Sequence, residues 1–222
     1  MITQVKKWVT DHPVWFAILF FIFYFTGFFT LEPLVTEPVY LLHCGLDDLI
    51  PFNEWFIFPY ASWFGLIPWA LITLLLFDRK NYFYLCGVMF SGMAMCLLLY
   101  LIFPNGVDLR PQSIESSNLA ATFVRMIWMT DTSTNVCPSI HVASTFAIFL
   151  AVQRSRIWKH RKLVVGICGV LTVMICLSTL FLKQHSVIDV VCGIALSTAL
   201  HFVFRHVGEE EKLLCTVDEI AG

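Results

Sequence analysis

Long apolar runs alternate along this chain with short polar breaks. Runs over residues 14–31, 55–77, 82–103, 139–153, 163–182 and 186–204 predict six transmembrane helices, the fourth of them short. The first run lacks the small-residue cleavage site of a signal peptide and is followed by further runs, so it reads as a membrane helix. Before it, Ile2, Val5, Trp8 and Val9 sit beside Lys6 and Lys7, the pattern of a short interfacial helix. Pro59 and Pro68 fall within the second run, where membrane helices tolerate proline. In the long polar stretch 104–138, Leu119, Phe123, Met126 and Ile127 recur at helical spacing after a cap at Ser117 or Asn118, predicting a helix that lies along the interface.

Composition turns this pattern into a class. The chain is 58% hydrophobic and 14% charged, with mean hydropathy +0.77 and 21 phenylalanines, far from an ordinary soluble domain. The expectation is an all-α, polytopic membrane protein. Its expected parts are an interfacial helix over 1–13, a six-helix transmembrane domain over 14–206 and a polar cytoplasmic tail over 207–222. Basic residues interleaved with aromatics, as nucleic-acid binding requires, are not found. Five of the eight cysteines lie in apolar runs, where cysteine acts as a small hydrophobe. Cys44 and Cys137 lie in breaks on the same expected side, leaving a disulfide open. The acidic break 32–54, with Asp47 and Asp48, reads as a solvated loop rather than a metal site.

Charge then sets the orientation. With six spans and the N-terminus inside, eleven of the fourteen lysines and arginines are cytoplasmic, so both termini are expected inside. The other three, Arg110, Arg125 and Lys183, face outward, in or beside three polar clusters.

Those clusters carry the candidate chemistry. His185 and Asp189, four apart, share one face of a continuous helix, where a carboxylate can hold an imidazole in one tautomer. Lys183 can bind a phosphate oxygen as a point charge or snorkel to the interface. Pro138 and Ser139 open the fourth run, and a helix N-terminus there offers free amides to an anion. His141 in its first turn can serve as general acid. Arg110 before Pro111 offers a fork suited to phosphate. Each cluster alone has a plainer structural reading. Together, in order, on one membrane face, they point to phosphate handling.

The order Arg-Pro, then Pro-Ser-x-His from Pro138, then Ser-x6-His-x3-Asp from Ser178 resembles the type-2 phosphatidic acid phosphatase superfamily over residues 103–189. The resemblance implies that His185 attacks phosphorus and becomes a phosphohistidine, oriented by Asp189. It implies that His141 protonates the leaving group, that Arg110, Ser139 and backbone amides hold the equatorial oxygens, and that no metal or other cofactor is used. Three positions depart from the family patterns. Phe103 replaces a lysine, Ile140 a glycine and Thr179 an arginine. Lys183, four residues beyond Thr179, lies one turn further out on a continuous helix and is suggested as a replacement, with Arg125 for the missing lysine. These departures are also similar to the branch of inositol-phosphoceramide synthases, as is Asp-Asp-Leu-Ile-Pro-Phe from Asp47.

The expected function is therefore an outer-face phosphatase acting on a lipid phosphomonoester or pyrophosphate. The alternatives are a phosphotransferase that uses an alcohol acceptor and a non-catalytic binder or transporter of anionic lipids. Expected partners are a lipid phosphate and the bilayer, with no nucleic acid; oligomeric state is left open. Small size and the lack of glycosylation sequons fit a multi-pass protein of a bacterial inner membrane.

Overall fold

Proline at position 13 separates the first two helices: α1 (Ile2–Asp11) ends before it, and α2 (Pro13–Leu31) begins on it, where its missing N–H costs nothing. The computed structural model describes residues 2–35 and 38–206. A 3₁₀ turn (Glu32–Leu34) and α3 (Gly45–Leu49) follow, then a second 3₁₀ turn (Glu54–Phe56) leading into α4 (Ile57–Phe77). The remaining helices are α5 (Arg79–Ile102), α6 (Leu119–Thr130), α7 (Ile140–Arg154), α8 (Arg161–Phe181) and α9 (Val187–Phe204). The tail expected over 207–222 lies outside the described residues.

Among the described residues, five helices are long and apolar enough to cross a membrane: those over Pro13–Leu34, Glu54–Phe77, Arg79–Ile102, Arg161–Phe181 and Val187–Phe204. The expected sixth, α7, is 15 residues long, about 22 Å at 1.5 Å per residue against a hydrocarbon core of about 30 Å. It packs against α4, α5, α8 and α9. A helix enclosed by protein has no need to match the lipid thickness. With α7, α5 forms the centre, and Leu74, Tyr84, Leu85, Met89, Ile148 and Ile175 are among the fully buried side chains between these layers.

Three loop features were not expected. The acidic break contains α3. Tyr40–Leu41 (β1) pairs in parallel with Asn105–Gly106 (β2), and Gly106 also bridges Thr134. The approach at Gly106 is so close that a Cβ there would lie 2.7 Å from the Ser133 carbonyl oxygen, so glycine is what the crossing admits. Asn118 caps α6 through Ala121 N–H at 2.8 Å, as one of the two expected caps. Cys44 and Cys137 are separate thiols.

Candidate active site

The junction between α8 and α9 is a tight turn rather than a continuous helix. Helix α8 stops at Phe181, Lys183 takes a left-handed conformation (φ 57°), and the amides of Gln184 and His185 both return to the Thr179 carbonyl at 2.9 and 3.2 Å. Ser186 then caps α9 in a capping box whose N3 residue is Asp189. His185 therefore precedes the helix that carries Asp189. The two still meet, His185 Nδ1 lying 3.4 Å from Asp189 Oδ2. That oxygen also accepts the Ser186 N–H at 2.8 Å, so the cap fixes the carboxylate beside the imidazole. Asp189 is fully buried and His185 nearly so.

The start of α7 is brought against this turn by backbone contact. Ser139 donates its N–H to the Asp189 carbonyl at 3.2 Å, and its hydroxyl caps the helix through Val142 N–H at 3.4 Å. Gly193 makes the approach possible: a Cβ there would sit 2.9 Å from the Ser139 carbonyl oxygen. Four residues on, Ser197 donates to the Ala143 carbonyl at 2.7 Å. This small-x-x-x-small stripe is a packing signal readable in the sequence. Asn105 braces the segment before α7, accepting from Val136 and Cys137 N–H at 3.0 and 2.8 Å and donating to the Cys137 carbonyl at 3.1 Å. Tyr100 donates to the Pro138 carbonyl at 2.6 Å.

His141 and His185 consequently line one cavity of about 190 Å³. Their ring centroids are 5.8 Å apart, and His141 is flanked by Tyr60 and Trp63 at 4.7 and 4.5 Å. The rest of the wall is mostly apolar and aromatic, with Tyr24, Phe25, Phe28 and Phe64, while Asp131 and Asn135 are polar. Such a wall accepts hydrocarbon beside a reactive headgroup.

Arg110 lies behind the wall rather than in it. Its guanidinium donates to the Trp128 and Asp131 carbonyls at 3.3 and 2.6 Å and to Gln184 Oε1, and it stacks over Trp128. Gln184 donates onward to Asp131 Oδ2 at 3.2 Å, which also accepts from Tyr60 at 2.8 Å. Enclosure pushes the Asp131 carboxyl above its ordinary value, against the opposing effects of the Tyr60 hydrogen bond and of nearby His185 and Arg110.

The two suggested replacement cations point elsewhere. Because α8 does not continue, Lys183 turns away from Thr179 and donates to the Asp47 carbonyl at 2.8 Å. Arg125 donates to the Ile114 and Ser116 carbonyls on the protein surface. Neither lines the cavity.

The break that read as solvated instead holds a buried brace. Asp47 accepts from Ser186 Oγ, Val187 N–H and Cys44 N–H at 2.7, 2.8 and 2.8 Å, while Asp48 pairs with His43 at the surface. Burial alone would raise the Asp47 carboxyl, but these donors outweigh it and hold it below its ordinary value. An isolated acidic pair gives no signal of this, because two of the three donors to Asp47 lie about 140 residues on in the chain.

Mostly helical, with five helices among the described residues long and apolar enough to cross a membrane, the fold is compatible with the class of multi-pass membrane proteins, and two imidazoles line one of its cavities. The family model for the PAP2 superfamily matches residues 81–212, from α5 past the end of α9, and the chain belongs to that family. It is the type-2 phosphatidic acid phosphatase superfamily, whose members act as phosphatases and phosphotransferases on phosphate esters. No curated protein matches the chain.

Proposed function

We propose that the protein is an integral membrane lipid phosphatase that works through a phosphohistidine on His185. The supporting arrangement is the His185–Asp189 pair opening on a cavity that it shares with His141. In this reading Asp189 accepts from His185 Nδ1–H, so Nε2 carries the lone pair that attacks phosphorus. As the P–N bond forms, the P–O bond to the lipid breaks, and His141 gives its proton to the leaving oxygen. Water then attacks phosphorus, returns a proton to His141 and frees His185. Phosphatidate, phosphatidylglycerol phosphate and a polyprenyl pyrophosphate are the proposed substrates, since the aromatic wall suits any hydrocarbon tail. The same proposal takes α7 as a sixth, shortened span, both termini as cytoplasmic and the site as facing outward across a bacterial inner membrane.

A second reading is a phosphotransferase in which an alcohol replaces water. It is favoured by Phe103 and Thr179 standing where the family patterns carry cations.

The test is phosphate release by the purified protein in detergent with EDTA, across these lipids, beside His185→Ala. Turnover that survives EDTA and disappears in the variant is the expected result. No release from any lipid without an alcohol acceptor, but transfer with one, would replace the first reading by the second. Full turnover in His185→Ala would overturn both.

A further inference from the structure

The proposed chemistry gives no role to the amide side chain on the cavity wall. Asn135 is 6% exposed and lines the cavity together with His141 and His185. Both its amide nitrogen and its amide oxygen are buried and have no hydrogen-bond partner among the described residues. Its backbone is left-handed, φ 56°, and is pinned there by the N–H bond to the Asn105 carbonyl at 2.7 Å. The backbone alone accounts for asparagine or glycine, the two residues that visit this region readily. It does not account for a carboxamide buried with neither end paired, which is costly unless a ligand completes it.

The cavity has a matching need. Phe103 and Thr179 stand where the family patterns carry cations. Lys183 is tied to the Asp47 carbonyl, Arg125 to the Ile114 and Ser116 carbonyls, and both Nη atoms of Arg110 to its neighbours. Among the described residues lining the cavity there is no lysine or arginine, and there is one carboxylate, Asp131.

We propose that Asn135 is a substrate-binding residue, its carboxamide gripping the phosphoryl group that lies between His141 and His185; this rests on the phosphoryl-transfer reading above. The amide N–H donates to a nonbridging oxygen. The amide oxygen accepts from a protonated phosphate oxygen or from the hydroxyl of the attacking or leaving group. An uncharged donor-acceptor pair that shares the cavity with a carboxylate suits a singly charged phosphoryl group over a dianion, because the dianion would meet Asp131 with no lining lysine or arginine to offset it.

The test measures the affinity of inorganic phosphate by isothermal titration calorimetry, and kcat and KM on phosphatidate, for wild type, Asn135→Gly and Asn135→Asp. Glycine keeps the left-handed backbone and removes the amide. Aspartate keeps the shape, removes the donor and adds a charge. Expected is a loss of phosphate affinity and of kcat/KM of about tenfold to a hundredfold in Asn135→Gly, the range for one hydrogen bond to a charged group. The loss should be greater in Asn135→Asp, with melting temperatures near wild type in both. In wild type the phosphate affinity should fall as pH rises through the second ionisation of inorganic phosphate and the dianion forms, whereas Asn135→Gly should show a flatter profile.

Unchanged phosphate affinity in both variants, or no phosphate binding by wild type, would overturn the proposal. Turnover persisting in His185→Ala would overturn the phosphohistidine reading, and the calorimetry would still judge Asn135. If Asn135→Gly fails to fold, Asn135→Asp carries the comparison.

Discussion

Asp189 Oδ2 lies 3.4 Å from His185 Nδ1 and 2.8 Å from the Ser186 N–H, so one oxygen both caps α9 and faces the imidazole. The helix cap is thus the device that aims the carboxylate. Asp189→Asn keeps the shape but puts a neutral amide where the imidazole needs an acceptor. Loss of kcat of about a thousandfold or more is expected, with KM nearly unmoved. Steady-state kinetics on a phosphate ester would check this, and a change confined to KM would count against the orienting role.

Asp47 ties the α8–α9 turn to α3 through Ser186, Val187 and Cys44. Asp47→Asn leaves at least one of these buried donors without an acceptor and should destabilise the protein by roughly 2 kcal/mol near neutral pH. The Asp47 carboxyl is held below its ordinary value. The stability it contributes is therefore present above the ordinary carboxylate pKa and is lost as pH falls through the lowered one. Melting curves from pH 7 downward should show the wild-type advantage over Asp47→Asn shrinking only in acid.

Gly193 lets α9 approach the Ser139 carbonyl oxygen more closely than any Cβ allows. Gly193→Ala should push the start of α7 away from Asp189, costing about 1–3 kcal/mol of stability. A loss of activity larger than the change in folded fraction should accompany it. Thermal melts run beside kcat would separate the two effects. Wild-type values in both would mean that the helices part freely.

Lys183 and Arg125 are bound to main-chain carbonyls away from the cavity. Arg125→Ala should change kcat/KM by less than about threefold, as surface polar substitutions usually do. Lys183→Met should lower the melting temperature by loosening the turn on Asp47, while leaving the affinity for inorganic phosphate close to wild type. A tenfold loss of phosphate affinity in either would return that cation to the site.

Much of this organisation was legible from the order of residues. Apolar runs long enough for a bilayer, a cap at Asn118 and the Arg-Pro, Pro-Ser-x-His and His-x3-Asp clusters are local patterns, and local patterns report helices and family directly. They also paired His185 with Asp189, although through an assumed continuous helix where a turn and a capping box stand instead.

What tertiary structure alone decided is where the polar groups go. Lys183 seemed one helical turn from Thr179, but α8 ends at Phe181 and the left-handed residue turns the side chain to Asp47. Asp47 seemed solvated, but donors about 140 residues away bury it. Asp131 and Asn135 carried no motif and line the cavity. The physical reason is common to all four. Hydrophobic periodicity follows from the geometry of one helix, whereas a buried polar group is placed by partners that only the packed fold brings within about 3 Å.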